Sequence, residues 1–307
     1  MSADFGWLTS RDGTTNARRI IKPGKNRDGY FTSDDIISRA NDAMDLLLKE
    51  YPEYKHVLIY DNATTHLKRP DGSLSARHMP KSTRPWLIEA NAKDAAGKPV
   101  YGSNGSLKKT KIQMGPTQLS DGTVQQLYFP DNHPQAGQFK GMSVILQERR
   151  VEIKDASGRV KKAECKSFKC AAGMTDCCLR RILFNQPDFE NVESILEETC
   201  KARGVEVLFL PKFHCELNFI EQCWGFAKRV YRYNPESSRE DVLMKNALDA
   251  LAAVPLISIY ANHSRRFTYA YSNGFNGRQA AWAAKKYHGH RVLPESIMEE
   301  LDKAQIK

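Results

Sequence analysis

Apolar residues recur at helical spacing near the N-terminal end of the chain. Across residues 34–48, Ile36 and Met44 fall on the same face of a helix, with further apolar residues between them. Thr32 or Ser33 can cap the first turn, because a hydroxyl oxygen at that position accepts a hydrogen bond from a free backbone N–H. The pattern predicts an amphipathic helix.

Two short apolar runs indicate strands. The runs are "HVLIY" at residues 56–60 and "VEVLFL" at residues 205–210. A continuous apolar run of this length is typical of a strand buried on both faces. Residues 192–204 predict a helix that Gly204 closes. Helices next to buried strands predict a layered α/β core.

The region between the two strands has a different character. From residue 67 to about 165, turn signals such as "DGSLS" and "SDGT" separate short apolar segments, which favours an inserted, hairpin-rich subdomain. Apolar periodicity returns near the end of the chain and predicts C-terminal helices. The predicted organisation is an N-terminal part of the core at 1–66, an insertion at 67–187, a second part of the core at 188–235 and a helical region at 236–307.

Two carboxylates lie near the predicted strand ends. Asp61 directly follows the first run, and Glu221 lies on the edge of a helical stripe that contains Leu217 and Trp224. A carboxylate held against apolar surface needs a cationic partner or a metal ion, because its desolvation is otherwise uncompensated. Functional groups gather beyond the carboxyl ends of adjacent strands. If the two strands are neighbours, the pair predicts a Mg²⁺ or Mn²⁺ site for phosphoryl transfer.

A simpler interpretation of the same residues stays open. Asp61 and Asn62 can form a turn, while Glu221 faces solvent or pairs with Lys212 or Lys228. Composition and spacing alone favour this interpretation. The sequence around both carboxylates changes the balance.

The stretches "YDNATTH" and "LPKFHCELNFIE" resemble the second and third catalytic blocks of the DDE transposases, in particular the mariner-type superfamily. Other stretches, among them "KNRDGYFT", "SFKCAAGMTDCCLRR" and "HRVLPESI", resemble a fungal branch of DDE endonuclease-like proteins. The residues that match the two blocks are Asp61, Asn62 and His66 in the first and Leu217, Asn218, Ile220 and Glu221 in the second.

This resemblance implies a fold and a chemistry. It implies an α/β protein with an RNase H-like core, a large inserted subdomain and C-terminal helices. Asp61 and Glu221 would bind the catalytic metal ions, and His66 and Asn218 would orient the site. In intact relatives the ions would activate water for DNA strand cleavage and then a DNA 3′-hydroxyl for transfer.

One departure from the family pattern matters for activity. The family uses an earlier Asp on the first strand of the core, whereas the resemblance here begins at "SADFGWL". Asp4 is a poor substitute, because its neighbours do not resemble a buried strand. We therefore expect an N-terminally truncated, catalytically impaired derivative. A non-enzymatic nucleic-acid-binding or interaction module with the same fold is the alternative.

Charge favours a polyanionic partner. Lys and Arg number 46 against 36 Asp and Glu, which gives a formal net charge of +10. Dispersed basic stretches would either form ordinary solvated surface or gather into a DNA-binding face. The residues expected to contact DNA are Lys228, Arg229, Arg232, Arg265 and Arg266. The sequence leaves the oligomeric state open, a dimer included.

Cysteines and hydropathy bear on metal content and location. The chain has seven cysteines, four of them at Cys165, Cys170, Cys177 and Cys178. These four would either hold a structural zinc ion or be reduced cysteines in the protein interior. Regular structure would point adjacent Cys177 and Cys178 in different directions, which argues against zinc. Neither a signal peptide nor a run of about 20 apolar residues is apparent, so we expect a nuclear or cytosolic protein.

Overall fold

The computed structural model describes residues 1–24, 27–29, 31–95, 97, 100–255, 257–287 and 293–306. Parts of two of the stretches that resemble DDE proteins, at residues 25, 26, 30 and 290–292, lie outside the described residues. The chain divides into unit 1, formed by residues 1–68 and 195–307, and unit 2, formed by residues 69–194. Unit 2 extends seven residues beyond the predicted end of the insertion at residue 187. The C-terminal helices belong to unit 1.

The described residues form a mixed helix and sheet structure. The strands are β1 (Val57–Tyr60), β2 (Ile88–Asn91), β3 (Lys109–Ile112), β4 (Thr117–Gln118), β5 (Val124–Gln125) and β6 (Glu206–Phe209). The helices are α1 (Ser33–Glu50), α2 (Met142–Glu148), α3 (Leu179–Phe184), α4 (Pro187–Glu190), α5 (Ile195–Lys201), α6 (Phe219–Tyr231), α7 (Glu240–Ala252), α8 (Ile257–Ser272), α9 (Gly277–Lys286) and α10 (Ile297–Lys303). Short 3₁₀ turns lie at Ala76–His78, Lys166–Phe168 and Cys215–Leu217.

Helix α1 forms as its sequence predicts. Thr32 caps it and exchanges hydrogen bonds with Asp35 in a capping box, which satisfies backbone donors that the first turn leaves free. Ile36, Ala40 and Met44 are buried on its inner face. They pack in one cluster with residues of α5 and with the inner face of the β1–β6 pair.

Strands β1 and β6 pair in parallel, with Val57 opposite Glu206 and Tyr60 opposite Phe209. Helices α1 and α5 cover one face of this pair. On the other face Ile59 is 53% exposed and Leu208 is 48% exposed. The prediction of strands buried on both faces is therefore wrong, because helices cover this pair on one side only within the described residues.

The remaining helices of unit 1 follow β6. Helix α6 packs against α7 and α8, and α8 packs against α9. A buried cluster near the C-terminal end contains Phe267, Ala283 and Leu301. Lys286 on α9 forms an ion pair with Glu300 on α10. These contacts make the C-terminal helices part of one packed unit.

Unit 2 contains two antiparallel hairpins and its own core. Strand β2 pairs with β3, and β4 pairs with β5. Met142–Glu148, within the region predicted to be rich in hairpins, form helix α2. Fully buried side chains of this unit include Phe139, Met142, Ile145, Leu179 and Leu183. The turn-rich sequence therefore conceals a substantial apolar core.

A buried polar network crosses unit 2. Arg149 donates two hydrogen bonds to the carboxylate of Asp188, at 2.8 and 2.7 Å. It also donates through Nε to Gln125 Oε1 at 2.8 Å. Thr117 donates its hydroxyl hydrogen to the same Asp188 carboxylate. The network connects the β4–β5 hairpin with the end of α2 and with α4.

Gly141, immediately before α2, approaches the backbone of another segment closely. It has φ 85°, and a Cβ atom there would lie 2.5 Å from the carbonyl carbon of Ser82. The nearest atoms all belong to the backbone of Lys81 and Ser82, which cannot rotate away as a flexible side chain could. Only glycine therefore fits here without a shift of the backbone.

The chain leaves and re-enters unit 1 at neighbouring points. The backbone N–H of Ile195 donates to the carbonyl oxygen of Lys68 at 2.9 Å. Residues 69–194 are thus inserted between two residues that are hydrogen-bonded to each other.

Candidate functional site

The carboxyl ends of β1 and β6 meet at one edge of the strand pair. The N–H of Leu210 donates to the carbonyl oxygen of Tyr60 at 2.9 Å, which extends the pairing to the last residue before Asp61. The sequence-based condition that these two strands be neighbours is therefore met. Beyond β6 the chain continues through the turn at Cys215–Leu217 into α6.

His66 holds Asp61 in place. The Nδ1 atom of His66 lies 2.7 Å from Asp61 Oδ1 and 3.0 Å from the Asp61 backbone oxygen. The turn that carries His66 is closed by hydrogen bonds to the carbonyl oxygen of Ala63. The imidazole is 15% exposed and the carboxylate 55% exposed. The arrangement fixes one carboxylate oxygen and leaves the group accessible to a cation or to water.

Glu221 occupies the first turn of α6 and is exposed. Its backbone N–H donates to the carbonyl oxygen of Asn218, the residue that precedes the helix, at 3.0 Å. The buried residues of this helix are Cys223 and Ala227. The expectation that Glu221 is held against apolar surface is wrong, because the apolar face of the helix points elsewhere. An acidic side chain near a helix N-terminus is favourable without a metal ion.

The described residues supply no cluster of oxygen ligands for Mg²⁺ or Mn²⁺. Among them, the grouping of three or more potential metal ligands within 4.8 Å consists of cysteines. Asp4 lies exposed in a turn closed by pairing of Ser2 with Gly6, not on a strand. Within the described part of the chain, Asp61 and Glu221 therefore do not belong to a group of three or more ligands at that distance.

The carboxylate of Glu216, beside α6, was not predicted from the sequence as part of a polar group. Glu216 Oε1 accepts a hydrogen bond from the Tyr271 hydroxyl at 2.7 Å and lies 2.8 Å from His214 Nδ1. Burial opposes ionisation of Glu216, but the hydrogen bonds from Tyr271 and His214 outweigh it and lower the pKa of the carboxyl group. Burial and the Glu216 hydrogen bond raise the pKa of Tyr271 to about 12. The spacing of His214 and Glu216 was visible in the sequence, whereas the contact with Tyr271 depends on the fold.

The basic residues expected to contact DNA divide into two kinds. Lys228, Arg229 and Arg232 are exposed at the C-terminal end of α6, and Arg265 is exposed on α8. Arg266 is only 6% exposed, so the expectation that it contacts DNA is wrong for the described conformation. Its neighbour in α8 is exposed because consecutive helical residues point in directions about 100° apart.

Four cysteines of unit 2 form a cluster that can bind a metal ion such as zinc. The sulfur atoms of Cys165, Cys170, Cys177 and Cys178 all lie within 4.8 Å of one another. Arg181 hydrogen-bonds the Cys170 sulfur and lowers the pKa of that thiol. Burial and the neighbouring sulfurs raise the pKa of Cys177 to about 12. The objection drawn from adjacent Cys177 and Cys178 is overturned by the local chain path.

No protein-family model, curated protein or solved structure matches this chain. Within the described residues no individual helix has the length and apolarity needed to cross a membrane. Helices α7 and α8 satisfy those criteria only when they are taken together, and they are bent by 67° relative to each other.

Proposed function

We propose that this chain is a DDE transposase-derived protein with an RNase H-like core, and that it binds DNA. The parallel pairing of β1 with β6 is the observation that supports the proposal. Asp61 follows one strand of this pair, and the chain enters α6, with Glu221, after the other. A carboxylate beyond each of two adjacent parallel strands is compatible with a metal-dependent phosphoryl-transfer site.

In this proposal Asp61 and Glu221 are oxygen ligands for Mg²⁺ or Mn²⁺. His66 orients the Asp61 carboxylate through its 2.7 Å contact, and Asn218 orients the start of the Glu221 helix. Two exposed carboxylates without a third hold a cation weakly, because water competes for each position and a bridging ligand is lacking. In this proposal the weak metal site makes cleavage inefficient, while DNA binding depends on basic side chains instead.

A second candidate is a DNA-binding module without nuclease chemistry. The exposure of Glu221 favours it, because a carboxylate in solvent at a helix N-terminus needs no metal ion. Both candidates use the same basic surface, formed by Lys228, Arg229, Arg232 and Arg265. They differ in whether divalent cations bind at Asp61 and Glu221.

The DNA surface is tested by the salt dependence of binding. Fluorescence anisotropy with a labelled duplex, between 50 and 200 mM salt, measures the number of phosphate contacts. Four contacts predict a logarithmic slope of about −3.6, which is roughly a 150-fold loss of affinity over that range. The triple variant Lys228→Gln, Arg229→Gln, Arg232→Gln should reduce the slope to about −0.9.

A matched variant separates the α6 surface from general basicity. Lys108, Lys111 and Arg159 are exposed cations of unit 2, and their replacement by Gln removes the same charge. We expect this control to keep the steep slope. Equal slopes in the two triple variants would contradict a DNA surface on α6.

The metal site is tested by thermal unfolding with Mn²⁺. At ten times its dissociation constant the ion stabilises the folded protein by about 1.4 kcal/mol. Asp61→Asn and Glu221→Gln should abolish this stabilisation, whereas Asp4→Asn, which alters an exposed carboxylate in a turn, should retain it. If the stabilisation survives in the Asp61 and Glu221 variants, the assignment fails. If the wild type nicks supercoiled DNA and the Asp61 and Glu221 variants do not, the result would support the enzyme over the binding module.

A further inference from the structure

We propose that Cys165, Cys170, Cys177 and Cys178 hold a structural zinc ion that stabilises unit 2. All four sulfur atoms lie within 4.8 Å of one another, and those of Cys165 and Cys177 are 3.6 Å apart. Four thiolates around zinc at about 2.3 Å place their sulfurs about 3.8 Å apart. The sulfurs need to move by no more than about 1 Å to reach that tetrahedron.

The chain path is adapted to this convergence. Ser167, between the first two cysteines, lies in the left-handed region at φ 55° and ψ 29°, which reverses the chain within a short 3₁₀ turn. Cys178 is extended, at φ −157° and ψ 161°, immediately before α3. Cys177 and Cys178 therefore belong to neither a regular strand nor a helix, and both sulfurs turn towards the same point.

Two of the three cysteines outside the cluster provide a contrast within the same chain. Cys200 and Cys223 are fully buried, each in a helix of unit 1, as expected for small apolar side chains in a core. In the cluster only Cys178 is buried, and the other three are half-buried. Partial access suits a site that must admit an ion and then shield it from water.

Guanidinium groups border one side of the cluster. A cavity of about 320 Å³ borders Cys165 and Cys170, and Arg77 and Arg181 are among its other lining residues. Glu164 also lines this cavity, and its carboxylate is paired with Arg180 at 2.8 Å. Guanidinium groups near thiolates offset the net negative charge of a four-thiolate zinc centre, which would otherwise disfavour its formation.

The ion would connect an exposed loop to the core. Residues 171–176 are exposed and contain neither helix nor strand, and only Cys177 and Cys178 separate them from α3. Leu179 and Leu183 of α3 are fully buried in the core of unit 2. Zinc would tie the loop to the start of this helix, so that loss of the ion frees the loop and weakens the packing of α3.

The test uses the full chain, purified under reducing conditions. Elemental analysis should find about one zinc ion per chain, in keeping with one four-cysteine cluster. Cys170→Ser and Cys177→Ser should each lose most of this zinc. Cys215→Ser, which replaces an exposed cysteine outside the cluster, should retain it.

A second measurement keeps the proposal testable if those variants fold poorly. Co²⁺ added to reduced, metal-free wild-type protein should give the intense visible bands of tetrahedral cobalt thiolate, and Zn²⁺ should displace them. Absence of these bands, zinc loss in Cys215→Ser equal to that in Cys177→Ser, or iron–sulfur absorption in the purified protein would each overturn the proposal. DNA binding through α6 does not enter these readouts, so the two proposals fail independently.

Discussion

Replacement of Asp188 by Ala tests the buried polar network of unit 2. The side chains of Arg149 and Asp188 are 3% and 11% exposed. The replacement would leave the Arg149 guanidinium buried with only Gln125 as a hydrogen-bond acceptor in the network. An uncompensated buried charge costs about 3–5 kcal/mol of folding free energy, far more than the loss of an exposed pair.

The pH dependence of the same network has a definite sign. Burial of Asp188 opposes its ionisation, but hydrogen bonds from Arg149 and Thr117 outweigh burial and lower the pKa of the carboxyl group below its ordinary 3.8. The folded protein thus binds this proton less readily than the unfolded chain. The stabilisation by Asp188 is complete above about pH 3.8 and is lost as the pH falls through the lower folded pKa.

Hydrogen exchange measured by mass spectrometry is the suitable assay, because it reports peptides of unit 2 separately. A cost of 3–5 kcal/mol corresponds to a decrease in the protection of α2 and α4 of roughly 10²- to 10⁴-fold. As the control, Asp241→Ala removes the carboxylate of the exposed Arg239–Asp241 pair and should leave the protection of α2 and α4 almost unchanged, because solvent screens an exposed ion pair. Equal effects of the Asp188 and Asp241 replacements would refute the reasoning.

The other predictions concern packing, backbone and capping. Met44→Ala empties a fully buried position and should lower the free energy of unfolding by about 2–5 kcal/mol in urea titrations. Gly141→Ala should prevent folding of unit 2, because the added Cβ would clash with the backbone at Ser82. The control Gly158→Ala lies at φ 77° with nothing within 4 Å of its Cβ and should cost only about 1–2 kcal/mol. Similar yields and similar resistance to proteolysis for the two variants would contradict this prediction. Thr32→Ala removes the side-chain cap of α1 and should lower the free energy of unfolding by about 0.5–2 kcal/mol, measured by thermal unfolding. An unchanged stability would contradict a role for this cap.

The local pattern predicted elements better than it predicted their surroundings. Helix α1 with its Thr32 cap, and the strands at Val57–Tyr60 and Glu206–Phe209, follow from apolar periodicity and known cap chemistry. The same apolar runs gave a wrong expectation for burial, because a run cannot distinguish one covered face from two. Helix α8 lies within the region predicted to be helical, but the exposure of its two adjacent arginines was not distinguished in advance. In the fold Arg265 is exposed and Arg266 is buried.

The candidate sites differ in the same way. From the sequence, Asp61 and Glu221 could meet only if their two strands were neighbours, and the strands are neighbours. The exposure of Glu221 depends instead on which face of α6 packs against other helices, and the sequence did not reveal that face. Adjacent Cys177 and Cys178 looked unsuitable for one ion because regular structure was assumed. An irregular bend before α3 removes that objection, and no spacing rule anticipates such a bend.

The hydrogen bond between Ile195 and Lys68 brings the two ends of the inserted segment together. Because the two ends of the intervening segment already touch, lengthening or shortening that segment changes the entropy of closing a loop only slowly. The entropy of holding residues 68 and 195 together therefore depends little on the length of the segment between them. In the laboratory, a short Gly-Ser bridge from residue 68 to residue 195 is the corresponding deletion.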